Sequence, residues 1–139
     1  MIGGCKPIPQ KSISPGREEM INSFEDLEIW QRGHALTLKI YKTTRAFPRE
    51  EQYGLISQIR RSSSSVCANI AEGHRKTTKE FIRYLDITVA SLEETKYHLI
   101  LSRDLNYFSV EVFKSLFEEA CRVSKMVTSL NRKLRDKIY

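Results

Sequence analysis

The stretch VEVFKSLFEEACRVSKMVTSLNRKLR, residues 110–135, decides the fold. Within it Phe113, Leu116, Ala120, Val123, Val127, Leu130 and Leu134 recur in alternating steps of three and four residues, the period of one face of an α-helix. The opposite side reads Glu111, Lys114, Glu118, Arg122, Lys125, Ser129 and Arg132, a face made for water. A helix with one apolar stripe must bury it against other elements.

Three more stripes lie upstream. Phe81, Leu85, Thr88, Leu92, Thr95 and Leu99 repeat the rhythm within a helix expected over 78–104, with Thr77 and Glu80 spaced as a capping box. Ile56, Ile59, Ser63, Val66 and Ile70 mark a second helix over 49–72, with Gly73 expected as its left-handed terminator. Leu27, Trp30, His34, Leu38 and Tyr41 mark a first helix over 24–45, capped by Ser23 and ended by the Phe47-Pro48 step. Asn106 and Ser109 bracket the last turn. No segment alternates with the two-residue period of a strand. The expected fold is all-α, an antiparallel up-down-up-down four-helix bundle over 23–139.

Residues 1–22 hold three of the four prolines and no helical period, so they read as a leader, with Met20 as an alternative start. The 139 residues suit one core, and no apolar run approaches the roughly 20 residues that span a bilayer. The start lacks the apolar segment of a secretion signal, which points to the cytoplasm. Cys5, Cys67 and Cys121 are odd in number and widely spaced, against both a disulfide framework and a zinc knuckle.

The first two helices carry a second pattern. Gly54, Ser57, Arg61, Ser64, Ala68 and Ala71 fall opposite the second helix's core stripe, and small residues at this spacing let another helix approach closely. On the first helix Ile29, Gly33, Leu36 and Ile40 point away from the stripe assigned to its core. These two sets, Ile29, Gly33, Leu36 and Ile40 with Ser57, Arg61, Ser64, Ala68 and Ala71, form the expected surface for self-association.

The segments FEDLEIWQRGHAL (24–36), FPREEQYGLISQIRRSSSSVCANIAEGHRK (47–76), EFIRYLDITVASLEET (80–95) and LSRDLNYFS (101–109) carry a family resemblance. The chain resembles the four-helix-bundle proteins encoded within intervening sequences of bacterial 23S ribosomal RNA genes. Its most specific part is the centre with Gln58, Arg60, Arg61, Ser65, Asn69, Ile70, Ala71, Glu72 and Gly73. That family is similar to the accessory proteins of diversity-generating retroelements, which bind nucleic acid and a reverse transcriptase. The resemblance implies a homo-oligomer, often a pentamer, without known catalysis, and a reverse-transcriptase-like protein as a partner class. The chain departs from the pattern at Ala90, where the family has glycine before Ser91-Leu92.

Charge points to a ligand class. Lys and Arg outnumber Asp and Glu by 23 to 17. In the expected topology the second turn and the C-terminus share an end. They gather Arg75, Lys76, Lys79 and Arg83 with Arg132, Lys133, Arg135 and Lys137. Such a cluster attracts RNA or DNA phosphates through counterion release, although part of it also complements a helix dipole. No aromatic platform interleaves with it, so base-specific reading is unsupported.

Enzyme chemistry is missing from the pattern. No paired Glu-x-x-His occurs, Glu94 and His98 form a single i,i+4 pair, and His34 falls on the first helix's core stripe. Cys67 and Cys121 have the spacing of buried fillers. Arg60, Arg61, Asn69 and Glu72 read as structural, with Arg61 reaching Glu93 or a neighbouring subunit. No catalytic residue, metal site or cofactor is expected. The reading is a non-enzymatic oligomeric scaffold that binds RNA or DNA through its basic end; the alternative is a protein–protein adaptor without nucleic-acid binding.

Overall fold

Ser23 sets the entry to the first helix, though not as its cap. The computed structural model describes residues 23–139; the leader expected over 1–22, with Cys5 and Met20, lies outside them. Ser23 Oγ accepts from the Glu25 amide at 3.2 Å and caps a single 3-10 turn, Phe24–Asp26. Leu27 is extended, and the helix proper, α1, spans Glu28–Thr44.

A second 3-10 turn, Arg49–Glu51, precedes α2, which spans Leu55–Gly73 and starts later than expected because Gly54 takes a non-helical conformation. Gly73 is not a left-handed terminator: the chain continues right-handed into His74. Glycine is required there by packing, since a Cβ would lie 2.5 Å from Tyr84 Cβ and 3.0 Å from Phe81 Cδ1. The next helix, α3, spans Thr78–Asp104 and opens on the expected capping box. It ends in a Schellman motif. Asn106 takes a left-handed φ of 60°, its amide donates to Arg103 O, and the Tyr107 amide donates to Ser102 O. Ser109 caps α4, Val110–Ile138.

Each helix packs on its sequence neighbours, α1 closes the ring on α4, and no diagonal pair meets among the described residues. This is the expected up-down-up-down bundle. Ile59, Val66, Ile70, Leu85, Leu92, Leu99, Ala120, Val123 and Val127 fill its centre. Burial of each large side chain contributes about 1.5–3 kcal/mol, enough to order the helices only when all four faces close. Two hydroxyl bonds set register where small residues bring helices together. Thr95 Oγ1 donates to Ser62 Oγ at 2.9 Å across α2–α3, and Thr37 Oγ1 donates to Ser63 O at 3.1 Å across α1–α2.

The first helix is rotated from the expectation. Ile29, Gly33, Leu36 and Ile40 belong to the chain's own core, with Leu36 at 1% and Ile40 at 0% exposure. The stripe expected inside is on the outer shoulder: Leu38 is 44% and Tyr41 39% exposed, and Leu27, Trp30 and His34 are half-buried. Gly33 explains the choice. It lets α1 close on α2 so tightly that a Cβ there would sit 3.1 Å from both Cys67 Sγ and Val66 Cγ1. Broad aromatic rings could not occupy that seam.

Candidate interaction surfaces

On α2 the expected outward residues do face out: Ser57, Arg61 and Ala68 are exposed, while Ser64 and Ala71 are half-buried. The residues beside them on α1 are not the expected ones. Because α1 is turned, His34, Leu38 and Tyr41 are left at the surface, with Tyr41 against Arg60 of α2, and Ile29, Gly33, Leu36 and Ile40 are withdrawn into the core. The His34 ring lies over Trp30, centroids 4.9 Å apart and planes 18° off parallel, so His34 is a half-exposed stacked ring rather than a core histidine.

Arg60 works as a clamp between these helices. Its Nε donates to Thr44 Oγ1 at 2.9 Å, Nη2 donates to Tyr41 O at 3.2 Å, and the guanidinium lies 4.6 Å from the Tyr41 ring centre. The structural reading of Arg60 holds. Asn69 donates within its own helix, to Ser65 O at 2.7 Å. Arg61 does not reach Glu93; that carboxylate holds Lys96 Nζ at 2.8 Å, and Arg61 stays exposed. Cys67 Sγ donates to Trp30 O at 3.4 Å, and burial pushes its thiol up to about 12, which leaves it unreactive at neutral pH.

All eight expected cations are exposed and lie toward one end, because α3 and α4 run antiparallel with Ile82 and Asp86 beside Asn131. They divide into two groups of different chemistry. Lys76 and Arg83 border a groove that also holds Glu72 and Glu80, so charge there is mixed. Lys76 Nζ additionally lies 5.8 Å from the Tyr84 ring centre. Arg135 is engaged inside the chain: Nε donates to Asn131 Oδ1 at 2.7 Å and Nη2 to Asp86 Oδ2 at 2.8 Å. Asn131, buried, completes the network by donating to Asp86 Oδ1 at 2.9 Å.

Arg132 opens instead onto a groove between α3 and α4 that the sequence reading did not single out. Lys96, Lys125 and Arg132 line it, with Ser124, Thr128 and Ser129, in an open volume of about 370 Å³; Glu93 holds Lys96 at its edge, 2.8 Å from Nζ. The register that sets Asp86 against Arg135 also sets Lys96 against Lys125. Along α4 alone, Lys125 belongs to the water-facing side. The missing signal was cross-helix pairing, which one helix's periodicity does not contain.

At the opposite end Phe47 packs on Tyr107 and Phe108, and Tyr107 Oη donates to Glu51 Oε2 at 2.8 Å, so the two turns there are locked together. That bond holds the tyrosine's pKa above its ordinary value. His98 stands apart from this network. Both ring nitrogens are buried without a hydrogen-bond partner, and desolvation lowers its pKa against the opposing pull of Glu94, 4.0 Å away. Among the described residues no three His, Cys, Asp or Glu side chains are grouped to hold a metal, and no helix is long and apolar enough to cross a membrane.

Comparison with known proteins adds a lineage. A family model described as 23S rRNA-intervening sequence protein matches residues 25–129. Among solved structures, the chain is similar to a Bacteroides thetaiotaomicron protein of unknown function described as from the S23 ribosomal protein family. The TM-score is 0.67 at 24% identity, over 74% of this chain and 97% of that one. At this identity the likeness concerns the fold. No curated protein matches the chain.

Proposed function

The chain belongs to the 23S rRNA-intervening sequence protein family, and from that premise we propose that it is a non-enzymatic, cytoplasmic, homo-oligomeric scaffold that binds RNA or DNA through its basic end. The observation that carries the binding half is the gathering of Arg75, Lys76, Lys79, Arg83, Arg132, Lys133 and Lys137 as exposed cations toward one end, while Arg135 is held by Asp86. Association with a phosphate backbone through such a set is driven by counterion release and weakens steeply with salt.

Assembly uses the α1–α2 flank. Leu38, Tyr41, His34 and Trp30 offer apolar area, and Ser57, Ser64, Ala68 and Ala71 offer close approach beside the exposed Arg61. A pentamer and a reverse-transcriptase-like partner enter the proposal through the family resemblance alone. In an oligomer each copy repeats the basic end, which multiplies the attraction.

Filter binding of labelled RNA and DNA across a salt series tests the reading. The expected result is binding that falls steeply with salt and is lost when Arg75, Lys76, Lys79 and Lys133 are changed together to Ser. Absent or salt-insensitive binding by the native chain would reject it in favour of a protein–protein adaptor.

A further inference from the structure

We propose that the nucleic-acid backbone does not stop at the basic end but runs along the α3–α4 groove, with Arg132 at its mouth and Lys96 and Lys125 facing each other farther in. This rests on the nucleic-acid reading above and gives it a path.

The two cation groups at the end differ in what an approaching phosphate would meet. Beside Lys76 and Arg83 it meets Glu72 and Glu80, and a like charge close by cancels much of the gain. In the α3–α4 groove it meets Lys125 and Arg132, with Lys96 already paired to Glu93 at 2.8 Å, and the hydroxyls of Ser124, Thr128 and Ser129 as further donors. Hydroxyls next to Lys and Arg are the usual partners of phosphate oxygens.

Spacing agrees with a strand rather than a single ion. Seven residues of helix separate Lys125 from Arg132, an axial distance of about 10 Å. Even in projection on the duplex axis one strand places its phosphates about 3.4 Å apart, so cations this far apart meet different phosphates rather than one ion. Glu93 holds Lys96 from outside the groove wall, at 2.8 Å to Nζ, and fixes its ammonium in place. The adjoining Asp86–Asn131–Arg135 network joins α3 to α4 beside the groove.

The test uses the full-length chain, a short fluorescent RNA duplex and the DNA duplex of the same sequence. Anisotropy is followed from about 50 to about 200 mM salt, the range over which phosphate contacts separate clearly. Lys96→Gln with Lys125→Gln keeps a polar side chain at each position and removes two charges. The expectation is roughly tenfold weaker binding and a salt slope smaller by about 2, for whichever duplex the native chain prefers. Lys42→Ser, a single-charge control on α1, should leave binding unaltered.

A second readout needs no change in the groove. Cys121 borders it, and in a Cys5→Ser chain its alkylation is followed by peptide mass separately from that of Cys67, whose thiol donates to Trp30 O. Bound duplex should slow Cys121 alkylation, and high salt should restore it. If the native chain binds but the double variant binds equally well and Cys121 stays unprotected, the groove path is overturned while the basic-end reading survives. If the native chain binds neither duplex, both fall.

Discussion

The two flanks of this bundle are built from the same kind of helix and present opposite chemistry. Along α1–α2 the outer shoulder is Trp30, His34, Leu38 and Tyr41 beside Ser64, Ala68 and Ala71, with the neighbouring Arg60 folded down onto Tyr41. Along α3–α4 it is Lys96, Lys125 and Arg132 over hydroxyls, next to a buried amide tied to an ion pair. In the proposed function the first flank joins copies and the second meets an anion, so use of one leaves the other open.

The largest expected effect tests which side of α1 is inside. Leu36→Ala should lower unfolding free energy by about 2–5 kcal/mol, as deletion of a fully buried leucine does, while Leu38→Ala, on the outer shoulder, should cost about 1 kcal/mol or less in the dissociated chain. Urea denaturation at low protein concentration measures both, and equal losses would erase the distinction between core and flank. Next comes the seam between α2 and α3, which joins the two flanks. Gly73→Ala forces a Cβ onto Tyr84 and should cost about 1–3 kcal/mol through overpacking, visible as a lowered urea midpoint.

A smaller effect is expected on the polar side. Asp86→Asn leaves Arg135 and Asn131 with a weaker acceptor and should cost about 1 kcal/mol, since the Arg135 pair is half in water. A cost well above that would mean the network holds the α3–α4 flank together rather than trimming it. The smallest effect concerns His98. Its folded pKa lies below the ordinary value near 6.5, so the unfolded chain binds the proton more readily. That contribution to stability is present above the unfolded pKa and is lost as pH falls below it. Melting temperature should therefore decline between about pH 7 and about pH 5, and His98→Leu should flatten part of that slope.

Much of this molecule is legible in its sequence where a single helix decides the matter. The α4 stripe from Phe113 to Val127 is buried as its spacing demands, and Thr77 with Glu80 caps α3 as expected. Helix α1 carries two stripes of the same period, and periodicity alone does not choose between them. Ring size favours Trp30 and Tyr41 for the core. The structure favours Ile29, Leu36 and Ile40, because Gly33 lets α1 approach α2 and because rings with polar tips are comfortable at a half-wet shoulder. The basic end was legible from topology. Its division was not, since Arg135 becomes bound to Asp86 and Lys96 meets Lys125 only once the α3–α4 register is set.

Sedimentation velocity across a range of protein concentrations weighs the claim that one flank joins copies and the other stays free. The native chain should run at a multiple of 16.2 kDa, and Leu38→Glu with Ala68→Glu should return it to one folded unit. A native chain that sediments as a single copy at high concentration, or a doubly charged variant that keeps the native mass, would contradict it.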